Sequence, residues 1–291
     1  MIADIYEGAV FRPPSEAYSL ILQTTIGCSW NRCTFCVAFT DKEYRVKSLR
    51  DIQRDVDKII PYYKDVQRIF LADGNALAMP TAELASILDF LYSKFHILER
   101  VSIYGGPLDI RKKSVDELRI LKEKGLELVY FGLESGSDEV LRKIRKGAKS
   151  DVMIDTARKV REAGLKLSVI FILGLGGTEL SDVHARETAR VISAQDPDYT
   201  AALTLMVEPN SEIIKELGSG NLTLLNPSEV LKELRSIVEG IDVTNTVFRA
   251  NHASNYAPIG GVLPSDKERI LAHIDKAMKS GRFKPEFLRA L

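Results

Sequence analysis

Gly27-Cys28-Ser29-Trp30-Asn31-Arg32-Cys33-Thr34-Phe35-Cys36 gathers all three cysteines of a 291-residue chain into nine consecutive positions. The apolar run Ser19 to Thr25 just before it reads as a buried strand that feeds directly into this loop. Thiolates are soft ligands suited to iron–sulfur chemistry, so three of them here can take three irons of a [4Fe–4S] cluster and leave the fourth iron open. Two other readings compete. Zinc accepts cysteines at similar spacing but closes its structural sites with a fourth ligand, and His96, His184, His252 and His273 all lie far from the loop in sequence. Buried thiols can also act as small hydrophobes, for which a loop containing Gly27, Asn31 and Arg32 is a poor setting.

Lys plus Arg and Asp plus Glu balance at 40 each, which gives no support to a nucleic-acid or membrane surface as partner. The basic run Arg142-Lys143-Ile144-Arg145-Lys146 reads as a solvated helix face. Met1-Ile2-Ala3-Asp4 has no basic stretch followed by an apolar one, and the apolar window Leu167 to Leu175 is too short to span a bilayer. The expected location is the cytoplasm. Three cysteines in one loop fit a reducing compartment better than a disulfide framework.

Outward from the loop, the hydrophobic period switches repeatedly between strand and helix. Ser48 and Asp51 open a helix with Ile52, Val56, Ile59 and Ile60 on one face. Strands follow over Arg68 to Ala72, Arg100 to Tyr104, Glu127 to Gly132, Leu167 to Leu173 and Tyr199 to Met206, with amphipathic helices between them. Counting Ser19 to Thr25, these six strands alternate with helices as right-handed βαβ units do. Six are too few to close an eight-stranded barrel. The expected fold is therefore α/β, an open (β/α)6 partial TIM barrel with a C-terminal helical cap. Its expected parts are an N-terminal arm over 1–17, a core over 18–208 and a cap over 209–291 containing helices Ser228 to Glu239 and Ser265 to Lys279. Glycines and carboxylates follow most of the strands, where such a sheet would collect them on one rim.

The three cysteines, with Phe35 before the last, resemble the cluster loop of the radical S-adenosylmethionine (radical SAM) superfamily. The family's usual spacing is C-x3-C-x2-C, and this chain has C-x4-C-x2-C, an insertion that a turn at Ser29-Trp30-Asn31 would absorb. The resemblance covers roughly 18–208 and implies [4Fe–4S] ligation by Cys28, Cys33 and Cys36. Asp73-Gly74-Asn75 matches the glycine-rich turn that meets the amino group of S-adenosylmethionine; the family usually has Gly-Gly-Glu there, so backbone carbonyls would carry the contact. Glu134 and Ser135 match the ribose-contacting strand end. Gly174-Leu175-Gly176-Gly177-Thr178-Glu179 is similar to a loop of the coproporphyrinogen dehydrogenase-like and methylthiotransferase-like branches. Arg186 is the candidate for the methionine carboxylate, with a surface ion pair as the alternative. Leu205 and Met206, with Phe35, are candidates to flank adenine.

The activity so implied is reductive cleavage of S-adenosylmethionine to a 5′-deoxyadenosyl radical that abstracts hydrogen from an unidentified substrate, with a flavodoxin or ferredoxin as low-potential electron donor. Candidate substrate contacts are Arg12 on the arm and Arg249, Asn251, His252, Asn255 and Tyr256 in a polar, aromatic, Gly-rich segment. Two alternatives stay open: a non-catalytic zinc- or iron–sulfur-binding regulatory protein, and a haem or cofactor chaperone.

Overall fold

The computed structural model describes residues 5–63 and 65–290; residues 1–4 of the expected arm lie outside them. The strands are β1 (Leu20–Gln23), β2 (Thr25–Ile26), β3 (Arg45–Val46), β4 (Arg68–Ala72), β5 (Arg100–Tyr104), β6 (Leu126–Glu134), β7 (Lys166–Leu173), β8 (Tyr199–Thr204), β9 (Thr246–Ala250) and β10 (Ile259–Leu263). Eight of them form one mostly parallel sheet in the order β1-β4-β5-β6-β7-β8-β9-β10. The first six of that order are the six read from the sequence. The described residues fall into two compact units, one of 5–31, 36–131 and 158–167, the other of 32–35, 132–157 and 168–290.

In the first unit β1, β4, β5 and β6 pair in parallel, with Leu22 opposite Leu71, Leu71 opposite Ile103 and Ile103 opposite Val129. Their near-continuous apolar sequences are what a sheet covered on both faces requires. The helix Leu49–Ile59 starts where the Ser48 side chain accepts the Asp51 N–H, and it buries Ile52, Val56 and Ile59. The helix Thr81–Lys94 buries Leu84, Ile87, Leu88 and Leu91. Ser114 and Glu117 form a reciprocal capping box at the start of Val115–Glu123. On the sheet, Phe70, Tyr104 and Tyr130 stack edge to face, the closest centroids 4.9 Å apart.

In the second unit β7, β8 and β9 are parallel, and β10 turns back antiparallel on β9. Between the expected helices, observed as Pro227–Gly240 and Lys267–Ser280, the Gly-rich segment thus adds two strands that the sequence reading did not anticipate. In β10, Gly260 to Val262 are all partly buried, so the alternation that marks a strand is lost there, whereas in β9 buried Thr246, Phe248 and Ala250 alternate with less buried Val247 and Arg249. Thr34 is held in this unit from both sides, its N–H donating to the Ile144 carbonyl at 3.0 Å and its carbonyl accepting from Ile213 N at 2.9 Å.

Candidate functional site

In the first unit the turn after β4 lies against Gly27 to Ser29, where the cysteine loop opens. Asp73 is fully buried, and its Oδ2 accepts from Gln23 Nε2 at 2.9 Å, from Gly27 N at 3.1 Å and from Lys42 Nζ at 2.9 Å. Gly27 immediately precedes Cys28, and Lys42 lies beyond Cys36. Asn75, also buried, donates through Nδ2 to Ser29 Oγ at 2.6 Å and to Asp109 Oδ2, and accepts from Gly106 N at 2.7 Å. Ser29 Oγ donates in turn to Asp109 Oδ2 at 2.8 Å. Gly74 is a necessary glycine, since a Cβ there would meet the Phe39 ring at 2.4 Å. The turn expected at Ser29-Trp30-Asn31 has a definite form: Asn31 sits at φ 39°, a left-handed conformation that Asn tolerates, and its Nδ2 donates to the Phe39 carbonyl at 2.7 Å.

Cys28, Cys33 and Cys36 are each half-buried. Among the described residues no three His, Cys, Asp or Glu side chains converge on a single ion; in an iron–sulfur cluster each thiolate takes its own iron, so convergence on one point is not required. The donor chemistry fits a cluster. Beside Cys28 lies Tyr44, whose hydroxyl is pushed up to about 12 by burial, with Asp109 and Cys28 adding to the shift. The Tyr44 hydroxyl and Asp73 Oδ1 are buried polar atoms without a hydrogen-bond partner.

The second unit carries the ends of β6 and β7. Glu134 adopts φ 62°, a conformation rare for a side-chain-bearing residue and common at functional positions. Its carboxylate pairs with Lys146 Nζ at 2.9 Å, both groups nearly buried. Ser135 Oγ accepts from Ser137 N at 3.0 Å and lies 2.8 Å from His184 Nδ1, while His184 Nε2 lies 3.7 Å from Glu233 Oε1. With Nε2 facing a carboxylate, the neutral ring carries its proton there and Nδ1 accepts from the Ser135 hydroxyl. Burial lowers the His184 pKa, against the opposing effect of Glu233. Glu233 also accepts from Gly174 N at 2.7 Å and Ser181 Oγ at 2.5 Å, tying the loop after β7 to the helix Pro227–Gly240. Gly136 admits no side chain, because a Cβ would meet the Glu187 carbonyl oxygen at 2.1 Å.

The remaining expected residues are placed unevenly. Phe35, Leu205 and Met206 are half-buried and Gly174 is buried at φ 78°. Arg186 stands exposed, its Nε on Glu187 Oε1 at 3.2 Å, which is the surface ion pair set against the ligand role. Arg12, Arg249 and Asn251 are exposed, with the Arg249 guanidinium 5.7 Å from the Tyr199 ring centroid. Asn255 is buried between Thr204 Oγ1, from which it accepts at 2.8 Å, and the Ala202 carbonyl, to which it donates at 2.8 Å. His252 Nδ1 lies 2.8 Å from Ser254 Oγ, and its pKa is lowered by burial and then by Lys284. The Tyr256 hydroxyl donates to Glu286 at 2.5 Å under the Arg289 guanidinium and is pushed up to about 12, mainly by burial. His184 and Glu233 were missed by sequence reasoning. Glu233 is a polar residue inside an otherwise apolar helix face, between Val230 and Ile237, and that mismatch is the signal that could have found it; His184 shares its buried face with Thr188 and Gln195, so no such mismatch marks it.

Residues 22–189 match the model of the radical SAM superfamily. The chain belongs to that superfamily. The cofactors of this family are a [4Fe–4S] cluster and S-adenosylmethionine. Among curated relatives, the chain is 25% identical to the heme chaperone HemW of Bacillus subtilis over 178 residues, 60% of this chain and 45% of that one. It is 34% identical to the tRNA-2-methylthio-N(6)-dimethylallyladenosine synthase of Bifidobacterium adolescentis over 190 residues, 64% of this chain and 38% of the synthase. Among solved structures, the coproporphyrinogen III oxidase HemN of Escherichia coli, a radical SAM enzyme, shares the fold at TM-score 0.56 and 17% identity, covering 76% of this chain and 51% of that one. The chain spans less than half the length of these two curated relatives.

Proposed function

We propose that this chain is a radical SAM enzyme in which Cys28, Cys33 and Cys36 hold the [4Fe–4S] cluster and hydrogen is abstracted from a small-molecule or macromolecular substrate. The observation that carries this reading is the placement of all three cysteines in one short loop that follows β1 and the two-residue β2 in a radical SAM fold. When bound, the cluster supplies the electron for cleavage of S-adenosylmethionine to a 5′-deoxyadenosyl radical.

The chain's own residues have separable tasks in this proposal. Because the Asp73 and Asn75 side chains turn inward, the turn after β4 offers S-adenosylmethionine its backbone carbonyls. Glu134, fixed by Lys146, presents an acceptor to the ribose, whereas the Ser135 hydroxyl is fully buried between Ser137 N and His184 and holds that strand end in place. A flavodoxin or ferredoxin delivers the electron. The exposed Arg249 and Asn251 and the half-buried His252 remain candidates for the substrate, whereas Asn255 and Tyr256 are engaged in hydrogen bonds within the fold. Among the described residues no helix is long and apolar enough to cross a membrane. Release of 5′-deoxyadenosine from S-adenosylmethionine under dithionite, lost in Cys33→Ala, tests the reading; release undiminished by that substitution contradicts it.

A second reading, a haem carrier, rests on the 25% identity to HemW and ranks below the enzyme reading. Spectral titration with haem separates the two: a saturable Soret shift supports it, and an unchanged spectrum removes it.

A further inference from the structure

We infer that Asp73 and Asn75 act as a clamp on the cysteine loop, so that the turn after β4 fixes the position of Cys28 instead of recognising a ligand through its side chains. This rests on the reading of Cys28 as a cluster ligand. Four ties within the first unit carry it. Asp73 Oδ2 receives the Gly27 N–H at 3.1 Å on the entry side of the loop and the Lys42 ammonium at 2.9 Å beyond its exit. Asn75 Nδ2 holds the Ser29 hydroxyl at 2.6 Å, one residue after Cys28. Gly74, lying between the two polar residues, lets the Phe39 ring close over the turn, and the Phe39 carbonyl in turn receives the Asn31 side chain at 2.7 Å. Cys28 is thus flanked on each side by a residue hydrogen-bonded to a buried side chain of the same turn.

The chemistry explains the residue choice. A carboxylate can accept an amide N–H, a side-chain amide and an ammonium together, and burial makes each of these bonds costly to lose. The Asn75 amide both donates and accepts, so it alone bridges Ser29 and Asp109 on one side and Gly106 N on the other. Groups that orient metal ligands without touching the metal typically change metal affinity about tenfold to a hundredfold when removed. Asp73 and Asn75 are positioning residues in this sense.

The test uses the full chain, reconstituted anaerobically with iron and sulfide, in wild type, Asp73→Asn, Asp73→Leu and Asn75→Ala. Glu16→Gln serves as control, since Glu16 is a fully buried carboxylate of the same unit bonded to Tyr130 and Arg100, apart from the loop. Amide hydrogen exchange of the folded apo chains is read at Gly27 to Ser29, iron after gel filtration, and the electron paramagnetic resonance spectrum of the reduced cluster. The clamp predicts faster exchange there and about tenfold weaker iron retention in Asp73→Leu and Asn75→Ala. Asp73→Asn, which keeps an oxygen for Gly27, falls in between, and Glu16→Gln matches wild type. Variants with wild-type exchange, iron and spectrum but weaker S-adenosylmethionine binding would overturn the clamp and leave the cluster reading intact. Wild type that holds no iron would overturn both.

Discussion

The Ser135 hydroxyl and His184 Nδ1 lie 2.8 Å apart in the interior of the second unit, with the Glu233 carboxylate 3.7 Å from the other ring nitrogen. A buried neutral imidazole between a hydroxyl and a carboxylate makes stability depend on pH. The folded-state pKa of His184 is lowered by burial, so between it and the unfolded value of about 6.5 the unfolded chain binds more protons. The contribution is complete above the unfolded value and is lost as pH falls toward the folded one. Urea midpoints should therefore decline from pH ~7 to pH ~5.5, and less steeply in His184→Asn. Equal slopes in the two proteins would show that His184 binds protons equally in the folded and unfolded states, so that burial does not lower its pKa.

Glu134 should act on S-adenosylmethionine and not on the cluster. Glu134→Ala removes one charged hydrogen-bonding group, worth about 1.5–3 kcal/mol, so the Kd for S-adenosylmethionine should rise about tenfold or more with iron content unchanged. Lys146→Met would instead leave the nearly buried Glu134 carboxylate unpaired and cost about 3 kcal/mol of stability. Isothermal titration and iron analysis check the first expectation, and denaturant unfolding checks the second.

Asn255 separates a structural from a substrate role in the segment between β8 and β10. Asn255→Ala would strand the buried Thr204 hydroxyl and Ala202 carbonyl, destabilising the chain by about 1–3 kcal/mol. Once folded, the variant should bind substrate as wild type does. A raised KM with an unchanged urea midpoint would return Asn255 to the substrate contacts.

The six parallel strands were legible because each is a short apolar run bounded by turn residues and separated from the next by a helix with its own period. β9 and β10 were not: Gly260 and Gly261 leave no alternating pattern in β10, and the five-residue β9 is set by its pairing with β8 and β10. The cysteines were legible from their crowding alone. The inward turn of Asp73 and Asn75 depends on partners some 46 residues away in sequence, such as Gly27 and Ser29, which only the fold brings close. His184 was hidden for a similar reason: its function in the fold comes from Ser135 and Glu233, both 49 residues away.

The central claim is that Cys28, Cys33 and Cys36 grip a single iron–sulfur cluster that leaves room for S-adenosylmethionine. Iron and zinc analysis of the chain reconstituted without oxygen, with the visible spectrum recorded before and after reduction, tests it most directly. The account predicts a brown protein with about four irons per chain that bleaches on reduction, and loss of that iron in Cys33→Ala. A colourless protein carrying zinc and no iron would contradict it.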